Sequence, residues 1–202
     1  MRKTSNSSPD PLSYLTVTSR SMNMKIWIPF ILICLLLLVL LVKLIRQQTD
    51  TIWQKITLLT SWVYLFFICR ICFAPAPFSF PAVHEIHYFL IHGMIVNLVP
   101  FQAMDTAFWL NVLMTVPAGI YYMLIFNPRR LSVKVWLGIG TGLTIETTQF
   151  IINWFVQLGR WVEVDDLITN ACGVWIGMIL IYALSQFSTR LLVNKFSLHN
   201  MR

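Results

Sequence analysis

Two stretches near the C-terminus hold the residues that could do chemistry. "GLTIETTQFII", from Gly142 to Ile152, places Glu146 and Gln149 inside an apolar run. "GRWVEVDDLITNACG", from Gly159 to Gly173, carries Arg160, Glu163, Asp165, Asp166 and Asn170 into the next apolar run. Two carboxylates at one depth, such as Glu146 and Asp166, could serve as general acid and base, with burial separating their affinities for a proton. The same acids, with Gln149, Asn170 and upstream Asn97 and Asn111, could instead bind a polar group, and Arg160 could engage a phosphate or carboxylate. The plainest alternative is packing. Interhelical amides often act as glue worth about 0.6 kcal/mol each, and Asp165 and Asp166 could cap a helix N-terminus. Capping fails for Glu146, which lies mid-helix; it must be neutral or have a cation or donor, with Arg160 first and Arg70 second as partners.

The elements that position these residues follow from composition. The chain has 202 residues, 57% hydrophobic and 11% charged, with mean hydropathy +0.69. That excludes an ordinary soluble domain. The predicted fold class is an all-α integral membrane protein, a bundle of about five transmembrane helices with an extracytoplasmic interfacial segment. Residues 1–25 form a polar N-terminus expected to be disordered. The first span is expected over 26–45, uncleaved because no small-residue cleavage site follows it. Further spans are expected at about 56–73, 106–126, 131–152 and 166–187. The prolines between 74 and 105 argue against a continuous span there; a short interfacial helix over 83–96 is expected. A basic tail closes the chain from 188 to 202.

The net charge of +7 sits in short segments flanking the spans, which points to topology control and not to nucleic acid. Arg129, Arg130, Lys134, Arg190 and Lys195 place their segments in the cytoplasm. Residues 74–105 have no Lys or Arg and belong outside. Five spans then put the N-terminus outside, against the bias of Arg2, Lys3, Arg20 and Lys25. Translation starting at Met22 or Met24 would remove the conflict; finding Met1 or Arg2 by mass spectrometry of the native N-terminus would exclude it. Trp53, Trp62, Trp109, Trp136, Trp154 and Trp161 fall near span ends, as interfacial aromatics do.

Periodicity gives two stripes. Gly138, Gly142, Glu146 and Gln149 share one helical face, and Asp166, Asn170, Gly173 and Gly177 share another. Each extends roughly 16 Å at ~1.5 Å per residue. Laid antiparallel, Gly138 and Gly142 would face Gly177 and Gly173, with Glu146 and Gln149 facing Asn170 and Asp166. Glycine permits that close approach.

Ordered along the chain, "NLVPF" (Asn97 to Phe101), "NVLMTVPAG" (Asn111 to Gly119), "ETTQF" (Glu146 to Phe150) and "GR" followed by "EVDDLITNACG" (Glu163 to Gly173) resemble the VanZ-like family. The resemblance covers about Ile56 to Leu184. It places Asn97 and Pro100, Asn111, Pro117 and Gly119, Glu146 and Gln149, and Arg160, Asp165, Asp166, Asn170 and Gly173 on the family's motifs. Glu163 stands where the family often has aspartate, and Thr115 where it often has a bulky apolar residue. The resemblance implies a multi-pass protein of the bacterial cell membrane associated with resistance to teicoplanin-type lipoglycopeptides. A cell-wall precursor or lipoglycopeptide would then be the partner besides the bilayer; an ordinary envelope role is the broader expectation.

Other constellations are weaker. His84, Glu85, His87 and His92 form HExH and not HExxH, so hydrated interfacial imidazoles are expected in place of a metal site. Cys69 and Cys72 lack the second pair that zinc would need, and all four cysteines fall in apolar runs as small hydrophobes. "GIGTG" follows no strand and is not a nucleotide loop. No motif calls for a cofactor. Three readings remain: an envelope-binding protein with an outward polar pocket, an intramembrane enzyme on a lipid-linked precursor using Glu146 and Asp166, and a structural packing module. Oligomeric state is not encoded in any of these signals.

Overall fold

A computed structural model describes residues 27–48, 51–74, 87–92, 94–102, 104–156, 160–187 and 189–198, without the side chains of 47, 48, 90 and 94. The polar N-terminus, the start-codon question, His84, Glu85 and the last residues of the tail lie outside them. The described chain runs α1 (Ile28–Gln48), α2 (Ile52–Phe73), β1 (Phe89–Ile91), β2 (Met94–Asn97), α3 (Thr106–Phe126), α4 (Leu131–Val156), β3 (Val162–Glu163), α5 (Val164–Gln186) and α6 (Arg190–Phe196). The protein is an all-α membrane protein with one small sheet at the end of its bundle.

By length and apolar composition α1, α2, α3 and α5 can each cross a membrane. α4, expected as a span, is not among them. Its 26 residues reach about 39 Å at ~1.5 Å per residue, beyond a ~30 Å hydrocarbon core. Its three glycines, six threonines or amides from Thr141 to Asn153, and Glu146 dilute its apolar character. α1 is bound more to surroundings than to protein: Leu32, Leu36 and Val39 are all exposed. Such leucine-rich surface is stable only against lipid.

α2 begins earlier than residue 56 because Thr51 and Gln54 form a capping box, each side chain accepting from the other's backbone N–H. α3 starts on Asp105, whose carboxylate accepts from the Phe108 amide at 3.1 Å, and ends on Asn127 in the left-handed region at φ 44°. The expected interfacial helix over 83–96 is not present in its described part. "FLI" and "MIVN" pair instead as an antiparallel hairpin, with Leu90 opposite Ile95. The physical reason is local. His92 and Gly93 separate two runs rich in aromatic and β-branched residues, and His92 adopts φ 52°, which suits a tight turn and stops a helix. β3 then adds in parallel to β2, with Asn97 opposite Glu163.

α5 is the central helix. Its tightest crossing is with α3, which runs parallel to it. A Cβ added at Gly173 would strike the Val112 carbonyl and the Thr115 hydroxyl. One at Gly177 would strike the Val116 carbonyl, and one at Gly119 the Val174 carbonyl. Hydrogen in place of a side chain lets the two backbones touch, which is how helices associate where apolar burial gives no driving force. The glycine-to-glycine pairing expected between α4 and α5 is therefore corrected. Gly173 and Gly177 face α3, while Gly138 and Gly142 meet the other side of α5, at Trp175 and Leu167. Two helices compete for α5, and a stripe read from one sequence segment cannot say which neighbour takes it.

Apolar clusters fill the remaining space. Ile68, Cys69, Cys72 and Phe73 of α2 pack on Ile145 and Ile152 of α4. Met123 and Leu124 of α3 pack on Val174, Met178 and Ile181 of α5. The tail is not loose: Val193 of α6 is buried in that second cluster.

Candidate functional site

The end of the bundle opposite the C-terminus gathers the polar side chains. Asn111, near the start of α3, donates through Nδ2 to Asp166 Oδ1, near the start of α5. One turn on, the Thr115 hydroxyl lies 2.9 Å from the Asn170 carbonyl oxygen. Because α3 and α5 run in parallel, Asn111, Thr115 and then the glycine crossings form one continuous seam.

Asp165 points elsewhere. It is 7% exposed, and its two carboxylate oxygens accept from the Phe101 backbone N–H at 2.9 and 3.0 Å. Phe101 sits at φ 61°, a strained setting for a bulky residue. The buried acid thus anchors the turn over the bundle's end. Neither Asp165 nor Asp166 makes the N-cap of α5, which falls on Glu163 without a side-chain cap bond. Asn97, 2% exposed, ties the same turn to β3. Its Nδ2 donates to Glu163 at 3.2 Å, and its Oδ1 accepts from Gln102 at 2.7 Å and from the Val99 amide at 3.1 Å.

α4 presents Glu146, Gln149 and Asn153 on one face, spaced by three and four residues. Gln149 Nε2 donates to the Cys72 carbonyl of α2 at 3.1 Å. Asn153 Nδ2 donates to the Arg160 carbonyl at 2.5 Å. Arg160 Nε and Nη2 both donate to the Ala74 carbonyl, at 3.3 and 3.1 Å. α4 is thereby fastened to the end of α2 and to the 160–163 segment.

Glu146 is 6% exposed, and neither carboxylate oxygen has a hydrogen-bond donor. The Glu163 backbone N–H acts on it from outside hydrogen-bonding geometry, and the Asp166 and Glu163 carboxyls lie within electrostatic reach. This corrects the expected facing of Glu146 and Asn170. Gly142 sits against Leu167, so Glu146 lies near the N-terminal end of α5, and Asn170 is deeper. The corrected position has a physical logic, since a helix N-terminus favours nearby negative charge. The expected cations are absent from the carboxylate: Arg160 donates to Ala74, and Arg70 lies 5.3 Å from the Trp27 ring.

Electrostatics outside the spans point the same way. Burial pushes the Glu163 carboxyl above the usual carboxylate range, with the Asn97 hydrogen bond opposing it. Burial also lowers Arg160 below the usual guanidinium range. Charge at this end is expensive, and acids predominate.

Thr115, Asn153, Glu163 and Gln102 belong to this network and were not among the predicted site residues. Extending the α4 stripe by one turn from Gln149 reaches Asn153, and one turn from Asn111 reaches Thr115. Gln102 carried no signal. No three His, Cys, Asp or Glu side chains converge to hold a metal among the described residues. His92 stacks on Trp154 at 4.6 Å.

A family model described as VanZ/LLP1 matches residues 58–186, which span α2 through α5 and every residue of the network. The chain belongs to the VanZ/LLP1 family. No curated protein and no solved structure matches it. α1 lies outside the family region; it packs on α2, where Leu41 is buried against Leu58 and Ile125.

Proposed function

We propose that this VanZ/LLP1 protein is a multi-pass protein of the bacterial cell membrane whose buried polar network holds the head group of an envelope component or lipoglycopeptide. It thereby contributes to tolerance of teicoplanin-type antibiotics. Its C-terminus faces the cytoplasm and the network faces outward; the bases near the C-terminal end and the acids at the other end support that orientation. The observation that carries the reading is Glu146. An unpartnered carboxylate at such burial costs at least ~2.5 kcal/mol in a membrane even on lenient scales, and packing alone gives no reason to keep it.

Expression of Glu146→Gln and Asp166→Asn in a deletion strain tests this. Lipoglycopeptide tolerance and envelope lipid composition should revert to those of the deletion while membrane levels of protein stay normal. Full tolerance in both variants would refute it. A second reading is an intramembrane enzyme with Glu146 and Asp166 as acid and base. Its support is the Asp166 carboxyl within electrostatic reach of Glu146 and the Asn111 bond that orients Asp166. Accumulation of a modified lipid-linked precursor in wild type but not in Glu146→Gln would favour it over binding alone.

A further inference from the structure

The unpartnered atoms at this end share one polarity. Among the described residues, buried side-chain oxygens without a donor are Glu146 Oε1 and Oε2, Gln149 Oε1, Asn153 Oδ1 and Asn170 Oδ1. Four of the five belong to the single face of α4 formed by Glu146, Gln149 and Asn153. The unpartnered buried donors are Trp62 Nε1 and Trp175 Nε1. Trp62 lies in an apolar groove against α1, and Trp175 lies deeper, against Gly138. One hydrogen each of the Gln149 and Asn153 amides goes to a backbone carbonyl, and two of the five N–H groups of Arg160 go to the Ala74 carbonyl. This end leaves five buried side-chain oxygens without a donor and brings the Glu163 and Asp166 carboxyls close to that of Glu146.

Building on the binding reading above, we propose that the group seated at Glu146 is a primary ammonium, carried by an amphiphile whose hydrocarbon lies between α2 and α3. An anion would bring more acceptors and like charge to a site that has too many of both. A quaternary ammonium has the charge but no N–H. A primary ammonium brings one positive charge and three donors. The route is lateral. A groove of about 440 Å³ between α2 and α3, walled by Ile68, Ile71, Leu110, Leu113 and Met114, includes Asn111. Asn111 is the residue that donates to Asp166. The groove is otherwise apolar, so a chain lying in it would end its polar head beside the acids.

The test uses the full chain in nanodiscs of phosphatidylglycerol with equal phosphatidylethanolamine and phosphatidylcholine, followed by detergent extraction and mass spectrometry of the lipid retained. Phosphatidylethanolamine should be enriched over phosphatidylcholine by about tenfold, the order expected for one charge-assisted hydrogen bond. Glu146→Gln should abolish the enrichment. Leu110→Trp, which fills the groove from an exposed position, should lower it with the acids untouched. Equal retention of the two lipids, preferential retention of phosphatidylglycerol, or enrichment that survives both variants overturns the proposal. Free ethanolamine protecting as well as the lipid overturns the amphiphile and leaves a soluble amine. If tolerance is lost in Glu146→Gln while lipid selectivity is absent in wild type, the binding reading stands and the ammonium falls.

Discussion

The two ends of this bundle treat polar atoms in opposite ways. At the C-terminal end the Thr57 hydroxyl donates to the Phe196 carbonyl at 2.7 Å, and Gln54 Nε2 to the Ser197 carbonyl at 3.3 Å. The Leu124 carbonyl, one of the orphan acceptors at the end of α3, receives the Ser197 hydroxyl at 3.0 Å and the Leu198 amide at 2.8 Å. Lys195 lies 4.3 Å from the Trp53 ring. Donors and acceptors match, and the result is a clamp across α2, α3 and α6. At the other end the same kinds of groups leave oxygens over. Matched polar groups hold a structure together. Unmatched ones are maintained against their cost, which is the physical mark of a site.

The largest effect expected from breaking this contrast lies between the ends. Gly177→Leu drives a side chain into the Val116 carbonyl, a backbone collision that should cost about 3 kcal/mol or more. Thermal unfolding in detergent should show collapse of the fold, whichever end is probed. Next is Asp165→Ala. It removes a charge-assisted bond to the strained Phe101 amide and should destabilise by about 2 kcal/mol, with faster hydrogen exchange at residues 99–102. Glu146→Gln should behave oppositely, leaving stability unchanged or raising it by about 1 kcal/mol while tolerance is lost. A large loss of stability there would make this end structural, like the C-terminal one. Thr57→Val at the clamp should cost about 1 kcal/mol and leave tolerance intact.

The smallest effect concerns pH. Burial raises the Glu163 carboxyl in the folded state, so the native protein holds this proton more tightly than the unfolded chain. Its contribution to stability is present at low pH and declines as pH climbs through the folded value. Glu163→Gln should flatten that part of the stability–pH curve; an unchanged slope in thermal melts would count against the burial described here.

Much of this could be read along the chain. Asn111, Glu146 and Asp166 stood out because polar groups inside apolar runs are costly anywhere in lipid, and that cost is local. The turn at His92 was legible too, between runs rich in aromatic and β-branched residues, but the three histidines of residues 84–92 fit an amphipathic helix equally well. Asp165 could be read equally as a cap; only its distance to the Phe101 amide shows that it anchors a turn 64 residues away in sequence.

By itself the amino-acid order determined the membrane class, the faces of the helices and the sorting of bases and acids to opposite ends. These depend on transfer energies and helical period, which each segment carries alone. Tertiary structure decided that the glycines of α5 meet α3, that Glu146 lies by the start of α5 and not by Asn170, and which oxygens lack donors. In a medium as apolar as the side chains, no burial gradient ranks one small-residue face above another; only the fit of several helices at once selects the partner and the register.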